Sequence, residues 1–323
     1  MPQEFWILIT AVASSLVTAL VSVIARVPIE PWILKVQHRS RYEWAAYRRL
    51  AETLAGPKGQ ALDAAFELHR RIRNLEEQIK RRQKGDDDKS WLVRPTGYYF
   101  SSFVYRVARL AAWVEVVRRL LPQVDISIPQ ARWQWEFVRH LLLVRESFTS
   151  PLLFYGLDYD QSEEHAHLFA GTWVVMASKM MERRPNGACE VVIWEDEFER
   201  RFVETDTIDK EFRSLVDLLR ELDVPQPNDR LWCFRWARIK AVHYACALLL
   251  AKFGSHLQSD FRSLDDAKLV WEGLRLIQRK DLEQRVVENF GNHLAPVFLW
   301  PASSLLARLL KIGQGKKVSS VVE

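Results

Sequence analysis

The densest run of metal-ligating side chains is DYDQSEEHAHLFAG, residues 158–171. It places four acids and two histidines within ten positions. Glu164 and His167 stand three apart and so share one face of a helix, a pair that carboxylate-bridged metal bundles use. Those bundles need the pair twice, with two further glutamates, and the sequence holds no second copy. Glu136 and His140 stand four apart and also share a face, so the sequence offers a mononuclear metal site drawn from Glu164, His167, Glu136 and His140. His165 points away from His167. A structural role accounts for more of the stretch. Asp160 followed by Glu163 has capping-box spacing, and Glu163 and Glu164 then fall in a first turn, where the helix dipole favours negative charge. Leu168, Phe169, Trp173, Val174 and Met176 continue as a buried face. The stretch is therefore expected to start a helix running to about Arg183, and no resident cofactor is expected.

A second candidate is LWCFRWARIKAVHY, residues 231–244. Arg235 or Arg238, if buried, needs a carboxylate partner or a bound small anion such as a phosphate, which makes the pair a candidate anion pocket. The aromatic and basic mixture also suits single-stranded nucleic acid. Arg235, Arg238 and Lys240 nevertheless point three ways on a helix, and residues 95–323 carry no net charge, so no nucleic acid is expected. No nucleophile elbow, phosphate loop, dinucleotide fingerprint or zinc-protease motif occurs. The three Asp of GDDDKS, residues 85–90, lack calcium-loop spacing and read as a solvated loop. Cys189, Cys233 and Cys246 are odd in number and match no zinc pattern, which fits buried thiols in a reducing compartment.

The elements that position these residues begin with an uncharged run. Residues 5–25, FWILITAVASSLVTALVSVIA, contain no Asp, Glu, Lys or Arg. At about 1.5 Å per residue they measure about 30 Å, the depth of the hydrocarbon core of a bilayer. MPQE before the run lacks the basic n-region of a cleavable signal peptide. Residues 26–94 hold a net charge of +6, more than the +5 of the whole chain. Arg26, Lys35, Arg39, Arg41, Arg48 and Arg49 lie directly after the run, and Trp6 and Trp32 flank it. The positive-inside rule then predicts a single-pass inner-membrane protein of bacterial type, its N-terminus outside and its bulk cytoplasmic. The basic segment would meet anionic headgroups.

Beyond the run, prolines 28 and 31 and the pair Gly56-Pro57 predict breaks. Over residues 60–84, Ala65, Leu68, Ile72, Leu75 and Ile79 recur at spacings of 3 and 4, a short heptad seam with charged residues such as Glu76 and Lys80 around it. The seam either docks on its own domain or forms a coiled coil in a homo-oligomer through residues 61–83. Further helices are expected over residues 98–121, 130–147, 195–203, 207–222, 228–253, 264–279, 282–289 and 302–311. CEVVIW, residues 189–194, is a strand candidate with no evident pairing partner. The expected fold is mainly α: a transmembrane anchor over residues 1–27, a basic juxtamembrane helical stalk over 28–90, and a helical cytoplasmic domain over 91–323. The expected role is a non-enzymatic scaffold, interaction or sensing module at the membrane. The alternative is a membrane-tethered enzyme or effector regulated by a small anionic ligand. Leucines and lysines over residues 305–317 either dock on the domain or lie on the membrane surface.

Overall fold

The computed structural model describes residues 3–85, 90–120, 131–159, 166–183, 190–254 and 280–294. These are mainly helical, as expected. The elements in chain order are α1 (Gln3–Gln83), α2 (Tyr98–Leu120), α3 (Arg132–Thr149), α4 (Ala170–Lys179), β1 (Met181–Arg183), β2 (Glu190–Val192), α5 (Glu195–Phe198), α6 (Ile208–Glu211), α7 (Arg213–Leu219), α8 (Arg230–Phe253) and α9 (Lys280–Asn289). A 3-10 turn, Pro151–Phe154, follows α3, and π turns follow α5 and α9. The helices expected over residues 264–279 and 302–311, and the basic leucine stretch within the latter region, lie outside the described residues.

The chain forms two compact units, residues 1–52 with 124–132, and residues 53–123 with 133–323. In the first unit the apolar side chains of α1 are largely uncovered. Ile9, Val12, Leu16, Val17, Leu20, Val21 and Val23 are exposed, as are Trp32, Tyr42 and Trp44 further along. The transmembrane helix expected here is not supported. Among the described residues, no helix is long and apolar enough to cross a membrane.

The breaks expected at Pro28, Pro31 and Gly56-Pro57 do not occur, since α1 runs through all of them. An interior proline costs about 3 kcal/mol of helix stability. Around Gly56-Pro57 that cost is offset by tertiary burial. Leu50 and Leu54 before the pair and Ala61 and Leu62 after it are all buried, and packing of an apolar face outweighs local propensity.

The second unit holds the core. Ala65, Leu68, Ile72, Leu75 and Ile79 have no exposed surface, so the heptad seam is consumed inside this chain. Arg109 of α2 donates to Asp63 of α1 at 2.7 Å and lies 2.9 Å from Glu67, which ties those helices together beside the seam. The C-terminal end of α1 is fixed by Asp223. Its carboxylate accepts from Ser90 Oγ at 2.7 Å and from the Trp91 backbone N–H at 2.6 Å, and Arg82 lies 3.2 Å away.

α2 packs on α4, and its buried face includes Phe100, Phe103, Val104, Val107 and Leu110 as the spacing predicts. The helix expected to run from Asp160 to Arg183 is shorter at both ends. It begins at Ala170, with Phe169 as an N-cap that makes no side-chain bond, and after Lys179 the chain turns into β1. Two backbone bonds define these limits, Leu168 N–H to the Phe148 carbonyl and Ile193 N–H to the Met180 carbonyl. The strand read from CEVVIW is present as β2 and is not alone. It pairs antiparallel with β1, Met181 opposite Val192 and Arg183 opposite Glu190. The segment expected as one helix over residues 207–222 divides at Phe212 into α6 and α7.

α8 starts where Asp229 accepts from the N–H groups of Leu231 and Trp232, an N-cap of the usual kind. It is buried all round, as a central helix must be. It ends at Gly254, where an added Cβ would lie 2.7 Å from the Leu250 carbonyl oxygen. Cys233 and Cys246 are buried on this helix, Cys233 Sγ donating to the Pro227 carbonyl at 3.3 Å; Cys189 lies outside the described residues. α9 closes on the 3-10 turn, Asn289 donating to the carbonyls of Leu153 and Tyr155.

Gly56 is exposed, and a Cβ added there would meet nothing within 4 Å. Gly56→Ala is therefore expected to stabilise the fold by about 0.5–1 kcal/mol, read as a higher urea midpoint at unchanged slope.

Candidate functional site

The most concentrated buried chemistry in the described structure lies between α1 and α8. His69 and Glu76 are seven residues apart on α1, which puts them on one face beside the apolar seam. Lys240 and His243 are three apart on α8 and meet that face. Glu76 Oε1 accepts from Lys240 Nζ at 2.5 Å and from His243 Nδ1 at 2.6 Å. The His69 and His243 rings stack obliquely, with centroids 4.3 Å apart. Lys240 has no exposed surface, His243 1%, His69 4% and Glu76 8%, so the charges are satisfied largely by one another.

Electrostatics follow from this arrangement. Burial alone would push the Glu76 carboxyl up, but His243, through its hydrogen bond and its charge, and then Lys240 outweigh it and hold it down to about 2. Glu76 is thus an anion acting as a double acceptor, and His243 carries a proton on Nδ1. Burial pushes His243 down, opposed by its Glu76 bond. Burial, the neighbouring His243 and the cations Arg73 and Lys240 push His69 down to about 2. Burial also lowers Lys240, and Glu76 opposes that. The group sets one carboxylate against one lysine, beside two imidazoles whose charged forms burial disfavours. His243 Nε2 is buried and finds no hydrogen-bond partner among the described residues.

The residues singled out from the sequence lie elsewhere. Glu136 and His140 do share a face of α3, but each has a local partner. Glu136 lies 2.7 Å from Lys252 Nζ, and His140 Nδ1 meets the Glu136 carbonyl oxygen at 2.7 Å and packs edge-on against Phe253. Burial pushes His140 down to about 4. His167 is buried and its Nδ1 bonds the Tyr159 hydroxyl at 2.6 Å. Glu164 and the expected capping residues Asp160 and Glu163 lie outside the described residues. Among the described residues, no group of three or more His, Cys, Asp or Glu is placed to hold a metal ion.

Arg235 and Arg238 share no partner among the described residues. Arg235 donates to the Arg220 carbonyl, with Asp229, Glu221 and Asp217 contributing favourable charge. Arg238 is fully buried. It donates to the carbonyls of Ala166, Ser147 and Ser150 at 2.8, 3.0 and 3.2 Å, and its guanidinium lies over Phe154. Burial pushes it down to about 10, with Tyr159 opposing. It therefore joins the end of α3 to the segment before α4, and among the described residues it has no carboxylate partner.

The α1–α8 cluster is hidden in the sequence because Glu76 falls among the charged residues around the seam, and spacing does not show which residues of α8 it meets. The usable signal was the seven-residue spacing of His69 and Glu76, combined with cations on a helix otherwise apolar on every side. Glu76→Ala would leave Lys240 buried without its counter-charge, and is expected to cost about 3–5 kcal/mol in urea unfolding. Glu76→Leu combined with Lys240→Met is expected to recover most of that loss, because paired apolar replacement removes both desolvation penalties.

Compared with family models, curated proteins and solved structures, the chain matches none.

Proposed function

We propose that the protein is a non-enzymatic interaction, scaffolding or sensing module held at a bilayer by residues 5–25 of α1. In this reading the run crosses the membrane once, the basic residues 26–49 meet anionic headgroups on the cytoplasmic side, and the helical bulk lies there too.

One observation carries the reading. Every Ser and Thr in the uncharged run bonds back to its own helix: Thr10 to the carbonyls of Trp6 and Ile7, Ser14 to Ala11, Ser15 to Val12, Thr18 to Ser14 and Ser22 to Thr18. A helix whose apolar side chains are exposed and whose hydroxyls need no outside partner suits a lipid environment, where no water is present to bond them. Trp6 and Trp32 are exposed at either end, where interfacial anchors sit. The positive excess directly after the run supports that direction.

The full chain is expected to stay with membranes through alkaline carbonate extraction, and protease added to intact spheroplasts should spare the bulk. Release by carbonate would refute membrane insertion, and digestion of the bulk would reverse the orientation.

A second reading, an effector regulated by a small anionic ligand, has one observation in its favour: the buried Arg238 is bonded to backbone carbonyls with no acid among its described partners. It predicts that inorganic phosphate or a nucleotide raises the melting temperature of the wild type and does so less for Arg238→Met. No shift with either compound would remove it.

A further inference from the structure

We infer that the His69–His243 pair and the Glu76–Lys240 ion pair form an acid-sensitive latch that holds α1 against α8 and releases it as the pH falls. The inference does not depend on membrane attachment.

The geometry sets the behaviour. The cluster is charge-balanced only while both imidazoles are neutral, because the single carboxylate of Glu76 is already matched by Lys240. Among the described residues, the charged groups that act on the imidazoles are Glu76 and Arg73 from α1 and Lys240 from α8, and Lys80 acts on Lys240. Cations outnumber the single carboxylate. A proton on His243 therefore adds a further positive charge to a buried site. Protonating both sets like charges on rings 4.3 Å apart. Among the described residues, His243 Nε2 has no partner to accept the added proton's hydrogen bond. The relief open to the chain is to part the two helices and let water reach the rings.

The direction follows from linkage. Both imidazoles have folded-state pKa values below the ordinary 6.5. Such a group binds its proton more readily in the opened chain, so the latch is fully closed above about 6.5 and weakens as pH falls below it, by up to about tenfold per imidazole per pH unit. Glu76, held down to about 2, adds acid sensitivity only below the ordinary carboxylate range, so the imidazoles act alone between pH 7.5 and 5.5. His140 on α3 also resists protonation, and its position away from the cluster makes a local readout necessary.

The test is hydrogen exchange of the full chain at pH 7.5 and 5.5, corrected for the pH dependence of the chemical exchange rate. Amides over residues 66–80 of α1 and 238–247 of α8 are expected to exchange at least about tenfold faster at pH 5.5, while those of α2 change by less than about twofold. A His69→Gln, His243→Gln double variant should lose the local pH response, and His140→Gln should keep it. An unchanged rate at the α1–α8 seam of the wild type, or a full response in the double variant, would overturn the latch. Should the double variant not fold, histidine NMR of the wild type decides. Both imidazoles are expected to stay neutral while the seam amides are protected. Titration of either near pH 6.5 with protection intact would overturn the inference.

Discussion

One carboxylate oxygen governs the centre of this fold. Glu76 Oε1 accepts from an ammonium and an imidazole that both lie out of water. Removing two charges from water costs several kcal/mol each, and their mutual attraction repays it only with good geometry and further hydrogen bonds. Here the short Lys240 contact and the His243 bond supply both. α8 can therefore be buried on every side while carrying Arg238, Lys240 and His243, provided α1 places Glu76 opposite them. The apolar seam from Ala65 to Ile79 is fully buried beside that cluster. The ionic cluster supplies the register, since sliding either helix by one turn would leave a buried charge unmatched.

Charge is arranged along the same lines elsewhere. Arg109 reaches Asp63 and Glu67 from α2, and Asp223 gathers Ser90, the Trp91 amide and Arg82. Each joins α1 to a part of the chain distant in sequence. The C-terminal part of α1 is thus held within the second unit by three polar contacts set along the edges of one apolar face. Arg238 does comparable work with carbonyl oxygens, joining Ser147 and Ser150 at the end of α3 to Ala166.

Much of the helical pattern was legible in the sequence. Apolar spacing located α2, α3 and α8 to within about two residues, because each buries a face long enough for the period to show. The errors have identifiable causes. Proline and glycine signal breaks through local cost alone, and at Gly56-Pro57 burial of Leu54 and Leu62 outweighs that cost. The strand in CEVVIW was visible, but Met181–Arg183 has no period of its own at three residues, so its partner was not. Capping logic marked residues 160–164, yet the described helix begins at Ala170 without a side-chain cap. The cluster escaped notice because spacing identifies which residues share a face of one helix, and not which face of another helix it meets. Glu76 and Lys240 are 164 residues apart.

Cys246 lies on α8 one turn beyond His243, buried, and burial pushes its thiol up from the ordinary range. Only a thiolate attacks an alkylating reagent, and only where the reagent can reach it. Within the closed packing this sulfur is chemically silent. It becomes reactive when α8 meets solvent, so the rate at which it is alkylated is a clock for the opening of the helix, written into the native sequence with no added label.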